Sequence, residues 1–134
     1  MSPVTGKKST ALRVLVVDDE ALIRWSLSES LADVGYEVTE AGDAASAVAQ
    51  ASDGVTFDAI VLDYRLPDSN DLHLLARIRE LQPKAAVVMM TAFGTPEVTS
   101  GALALGAYRV VAKPFDVHDL VNLVAQAQQG RAEG

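Results

Sequence analysis

The sequence predicts an α/β domain built on a parallel five-stranded sheet, with a helix after every strand. Short β-branched apolar runs alternate five times with longer stretches whose apolar residues recur at helical spacing. The central strand, predicted over Phe57–Leu62, is continuously apolar from Ala59 onward, as a strand covered on both faces requires. A chain of 134 residues, 49% of them hydrophobic, is long enough to bury such a core without cross-links. It has no cysteine with which to make them.

The first strand is expected at Leu12–Val17, followed by a helix whose inner face is marked by Ile23, Leu27, Leu31 and Val34. Gly35 closes that helix, because glycine enters the left-handed conformation of a C-terminal cap without steric cost. Tyr36–Glu40 alternates as a short second strand, and Asp43 then caps an alanine-rich helix through Ala51. After the third strand, Pro67, Asp68, Ser69 and Asn70 form a loop, and Leu72, Leu75, Ile78 and Leu81 make one helical stripe that stops before Pro83.

Ala85–Met90 reads as the fourth strand. Thr95, Pro96 and Glu97 supply in sequence a cap, a preset φ and a charge suited to a helix N-terminus. Gly106 ends that helix; Tyr108–Ala112 is the fifth strand; and Leu120, Leu123, Val124 and Ala127 line the inner face of the last helix. The boundaries follow as a flexible tail over 1–11, one domain over 12–128, and a C-terminal tail or linker start over 129–134. Trp25 is expected to be partly buried, and His73 and His118 to lie on the surface, since neither has a second histidine at ligand spacing.

A formal net charge of −7 repels a phosphate backbone, so direct nucleic-acid binding is not expected. The longest apolar runs fall far short of a bilayer span, and no apolar stretch of signal-peptide length precedes the first strand. Both readings point to a cytoplasmic domain.

Parallel α/β sheets bind at the carboxyl ends of their strands. There the sequence places Asp18, Asp19 and Glu20 after the first strand, Asp63 after the third, Thr91 after the fourth, and Lys113 with Pro114 after the fifth. Taken singly, each has a structural explanation as a helix cap, a turn residue or a solvated side chain. Taken together, they are matched. Carboxylates from two strand ends can share one hard cation such as Mg²⁺. A carboxylate can attack phosphorus, and a hydroxyl with an ammonium can hold phosphoryl oxygens.

With Val16-Val17-Asp18-Asp19-Glu20, Leu62-Asp63-Tyr64-Arg65-Leu66-Pro67, Met90-Thr91-Ala92 and Lys113-Pro114-Phe115 in place, the chain resembles the receiver domain of two-component response regulators over Leu12 to Gln128. The resemblance implies a flavodoxin-like (βα)5 fold with strand order 2-1-3-4-5 and a cis Lys113-Pro114 bond. It makes Asp63 the phosphoacceptor, Asp19 a direct Mg²⁺ ligand, Asp18 a ligand acting through water, and the Arg65 carbonyl a further metal contact. Thr91 and Lys113 would hold the phosphoryl oxygens. It further implies a sensor histidine kinase as phosphodonor, a phosphorylation-dependent homodimer, an output domain outside this chain, and no catalysis beyond the domain's own phosphorylation and dephosphorylation.

Two positions depart from the family pattern: Asp71 stands where many receivers carry glycine, and Val110 where many carry a switch aromatic. Tyr108, two residues earlier, shares Val110's strand parity and is a candidate substitute. Phe93 and Arg65, each two residues beyond a pocket residue, are expected to flank the mouth. The run Gly94-Thr95-Pro96-Glu97 and the ending Gly106-Ala107-Tyr108-Arg109-Val110-Val111 resemble receivers of enhancer-binding AAA+ transcription activators of the nitrogen-regulator type. An aspartyl phosphatase would carry a second aspartate at position 65, where this chain has Arg65, and a pseudo-receiver would lack part of the pocket retained here.

Overall fold

The structure, a computed structural model, describes residues 11–69, 71–92 and 94–133, with side chains as far as Gly130. Five strands and five helices alternate: β1 (Arg13–Val17), α1 (Ala21–Asp33), β2 (Glu37–Ala41), α2 (Ala44–Ala51), β3 (Ala59–Asp63), α3 (His73–Leu81), β4 (Ala86–Thr91), α4 (Pro96–Ala104), β5 (Arg109–Ala112) and α5 (Val117–Glu133). The strands pair in parallel in the order β2-β1-β3-β4-β5. Their register sets Val17 beside Leu62, Asp63 beside Met90, and Thr91 beside Ala112, so all the polar strand ends emerge along one edge of the sheet.

Strand parity divides the core in two. Leu15, Val17, Ile60, Leu62, Val87 and Met89 face a cluster with residues of α2, α3 and α4. Val14, Val16, Val61, Val88 and Met90 face one with residues of α1 and α5. Every residue of β3 and β4 is buried. Full burial of each large aliphatic side chain contributes about 1.5–3 kcal/mol, which explains why the central strands are apolar throughout.

The expected turn and cap chemistry is present. Gly35 and Gly106 both have φ near 103°. Asp43 Oδ1 accepts the Ser46 N–H at 2.7 Å, and Thr95 Oγ1 accepts the Val98 N–H at 3.2 Å. Departures occur where tertiary packing overrides local pattern. Phe57 is buried, but it lies ahead of β3 and gives its N–H to Gln82 Oε1 at 2.9 Å. Gln82 Nε2 in turn donates to the Ala51 and Val55 carbonyls, a buried amide that joins α2, the segment leading into β3, and the end of α3. Val34 is 62% exposed as the C-cap of α1, and Trp25, expected to be partly buried, is 58% exposed.

Residues 129–133, expected as a tail or linker start, continue α5. The tail expected over Met1–Thr10, and Asn70 and Phe93, lie outside the described residues. Among the described residues no helix is long and apolar enough to cross a membrane.

Candidate functional site

The acidic cluster is built by extending β1 and β3 one residue beyond their apolar runs. Asp18 and Asp63 are thereby drawn into the sheet edge, and both are buried. Asp18 gives its N–H to the Ala41 carbonyl at 3.1 Å, while the N–H of Tyr64, next after Asp63, goes to Met90 at 2.8 Å. One carboxylate oxygen from each of Asp18, Asp19 and Asp63 lies within 4.8 Å of the others.

Lys113 supplies the cation. Its Nζ donates to Asp18 Oδ2 at 3.0 Å, Asp63 Oδ2 at 3.1 Å and Glu20 Oε1 at 3.1 Å. Its backbone N–H bonds the Thr91 carbonyl at 2.8 Å, and the following bond to Pro114 is cis, as expected. Thr91 is buried at the end of β4. Gly94 lies close against it, since a Cβ there would stand 3.1 Å from Thr91 Cγ2.

Burial, then the neighbouring Asp18 charge, push the Asp63 carboxyl up from 3.8 to about 6, against the opposing pull of Lys113 and of the Arg65 backbone N–H. Lys113 is displaced upward although burial alone would lower it, because the Asp18 hydrogen bond and the charges of Asp63 and Asp18 outweigh desolvation. One ammonium thus does not fully offset the carboxylates around it. An oxygen-rich, net-negative set of this kind fits a hard divalent cation and is unsuited to a soft one.

Asp18, Asp19, Asp63, Thr91 and Lys113 all converge, and Arg65 stands two residues after Asp63 with its side chain exposed. His73 and His118 are exposed, as expected. Asp71 caps the start of α3 by accepting the His73 N–H at 3.0 Å, and its other carboxylate oxygen meets His73 Nδ1 at 3.0 Å. Tyr108 is not placed as a substitute for an aromatic at 110. It precedes β5 and bonds Val87, with its ring 3.6 Å from where a Cβ on Gly130 of α5 would be. It lies four positions before Ala112, the residue level with Thr91, which is about 13 Å of strand.

Two residues acquire contacts that the motifs did not assign. Glu20 shares Lys113, and Arg24 Nη1 grips the Asp18 carbonyl at 2.6 Å while its Nε meets Glu40 Oε1 at 3.0 Å. Neither contact had a local signal, because Lys113 follows β5 and Glu40 lies in β2, far from both residues in sequence.

A family model described as the response regulator receiver domain matches residues 14–125. The chain is 36% identical over 118 residues to the DNA-binding transcriptional regulator NtrC of Azospirillum brasilense, covering 88% of this chain and 24% of that protein. The chain therefore spans about a quarter of the length of that curated relative. A CheY-like response regulator receiver domain protein from Methanospirillum hungatei JF-1 superposes with a TM-score of 0.87 at 27% identity, covering 92% of this chain and 98% of that one. A response regulator protein from Burkholderia pseudomallei, solved with a phosphorylated aspartic acid, calcium ion and citrate, gives a TM-score of 0.78 at 29% identity and covers 91% and 72%.

Proposed function

The chain belongs to the response regulator receiver domain family, and on that premise we propose that Asp63 is its phosphoacceptor. The observation that carries this reading is the buried Asp63 carboxylate, paired at 3.1 Å with an ammonium that also holds Asp18. In the reaction an Asp63 oxygen attacks phosphorus, the phosphorus–nitrogen bond to a kinase phosphohistidine breaks, and the imidazole leaves with the electron pair. Lys113 exchanges part of its contact with Asp63 for a phosphoryl oxygen, and the Thr91 hydroxyl donates to another. Asp19, Asp63 and the Arg65 carbonyl would hold Mg²⁺ directly and Asp18 would do so through water. The ion supplies positive charge against the phosphoryl oxygens.

Incubating the protein with acetyl phosphate and Mg²⁺ is expected to add the mass of one phosphoryl group, and chelating the metal to prevent it. No mass change with Mg²⁺ present overturns the assignment. The phosphorylated aspartate in the Burkholderia pseudomallei protein supports this chemistry. The similarity to NtrC supports a cytoplasmic transcription regulator whose output module lies outside this chain.

The carboxylates of the pair Asp18 and Asp19 differ in ways that separate their roles. Asp18 spends one oxygen on the Glu20 N–H and the other on Lys113. The Asp19 carboxylate takes no hydrogen bond among the described residues and is exposed. Asp19→Asn is therefore expected to lower Mg²⁺ affinity by roughly tenfold or more, and Asp18→Asn by less. Calorimetric titration measures both, and equal losses contradict separate roles.

The end of α4 and the segment that joins it to β5 expose Leu103, Leu105 and Tyr108, which supports pairing with a second copy on phosphorylation. Val110 has the few rotamers of a β-branched residue, so the switch draws on Thr91 and on Gly94, which lies close against it. Thr91→Ala is expected to slow labelling of Asp63 but still permit it, while losing phosphorylation-dependent assembly once labelled, whereas Val110→Ala keeps both. Sedimentation of each labelled variant decides the matter: loss of assembly in Val110→Ala moves the switch to β5.

A further inference from the structure

Asp19, the exposed member of the acidic cluster, has no side-chain partner among the described residues to aim it, so its direction depends on the two peptides that flank it. Both peptides are held. On the far side, the Glu20 N–H donates to Asp18 Oδ1 at 2.8 Å. On the near side, the carbonyl of the Asp18–Asp19 peptide accepts from Arg24 Nη1 at 2.6 Å. The guanidinium is itself fixed by Glu40 Oε1 at 3.0 Å, and it lies against Gly42, where a Cβ would come within 3.2 Å of Nη1. One planar side chain on α1 therefore joins the end of β1 to β2 by two donors in a rigid fork, a geometry that an ammonium does not reproduce.

We propose that Arg24 is a positioning residue for the metal-binding aspartates, fixing the Asp18–Asp19 peptide so that both carboxylates converge on Asp63. This rests on the reading of the acidic cluster as a divalent-cation site. Its charge and its geometry act in opposite directions, which makes the role measurable. As a bare cation near three carboxylates, Arg24 opposes the binding of Mg²⁺, so removing its charge raises affinity. As a clamp on the ligands' backbone it favours binding, and removing it lowers affinity, by roughly tenfold for partners that orient metal ligands.

Gly42→Ala tests the clamp with no change of charge. Its φ lies outside the left-handed region, so alanine brings no backbone strain there, yet the new methyl presses on the guanidinium. The experiment is Mg²⁺ titration by calorimetry of the parent chain, Arg24→Met, Arg24→Lys and Gly42→Ala, together with amide hydrogen exchange of each in the absence of metal. The expected result is roughly tenfold weaker binding for Arg24→Met. Arg24→Lys, which restores the charge without the fork, is expected to recover little. A loss of about two- to threefold is expected for Gly42→Ala, a fraction of the full effect because the clamp is displaced and not removed. Exchange at the Glu20 amide is expected to accelerate in Arg24→Met beyond any general loss of protection.

Unchanged or tighter binding in Arg24→Met overturns the proposal by showing that only charge matters, and full recovery by lysine overturns it by showing that the two-donor fork is not needed. Failure of the parent chain to bind Mg²⁺ overturns the cation-site reading instead. The exchange data still decide whether Arg24 holds the turn, and an unaltered Glu20 rate shows that it does not. Gly42→Ala carries the same test if Arg24→Met does not fold.

Discussion

Replacing Asp63 by asparagine is expected to abolish phosphoryl incorporation from acetyl phosphate while leaving the fold intact. The amide has nearly the same shape and can still accept from the Arg65 N–H and from Lys113, so the loss comes from chemistry and not from packing. A neutral amide oxygen is a far weaker nucleophile than a carboxylate and forms no acyl phosphate. Removing the charge also lifts the repulsion with Asp18, one of the two effects that push the Asp63 carboxyl up to about 6. The variant is therefore expected to be at least as stable as the parent at neutral pH. Intact mass and a urea transition measure the two outcomes together. Labelling of the variant at the parental rate assigns the phosphoacceptor elsewhere, and loss of the folded baseline removes the contrast between chemistry and packing.

Lys113→Met is expected to produce the second largest change, because it removes the cation that touches Asp18, Glu20 and Asp63 at once. Labelling is expected to fall by roughly a hundredfold, the usual loss when one preorganised donor to a developing oxyanion is deleted. The variant also changes how stability depends on pH. In the parent, Asp63 titrates near 6 when folded against 3.8 as the ordinary value, so the folded state holds its proton more tightly than the unfolded chain. Its contribution is greatest below about pH 4 and is lost as the pH rises to about 6, a difference of roughly 3 kcal/mol for a shift of that size. Without Lys113 the carboxyl moves further up, and the decline continues through neutrality. Urea midpoints measured in chelator between pH 5 and 8 are expected to fall with pH in the variant and to be level above about pH 7 in the parent. Parallel profiles for the two proteins would show that Lys113 does not govern the ionisation of Asp63.

The order of the elements was legible because their signals are local. The runs at Val14–Val17 and Ala59–Leu62, the caps at Asp43 and Thr95, and the closing glycines at 35 and 106 act within a few residues of themselves. The convergence of Asp18, Asp19, Asp63, Thr91 and Lys113 was also legible. In a parallel sheet every strand end faces the same way, so residue types at strand ends identify their neighbours before any coordinate is known.

Only the tertiary structure decided matters that depend on which element covers a given side chain. Val34 and Trp25 follow helical spacing or bulk, yet they are exposed because no element among the described residues lies over them. Tyr108 shares Val110's parity, but the strand begins after it and its ring meets α5. Residues 129–133 are polar enough to read as tail, yet they extend a helix already anchored by Val124 and Ala127. Gln82 and Arg24 gave no local sign of joining three elements each, because their partners lie up to 31 residues away in sequence. Periodicity reports how a residue is oriented on its own helix or strand; hydrogen-bond partners and exposure depend on the neighbouring element, which only the packed chain brings into contact.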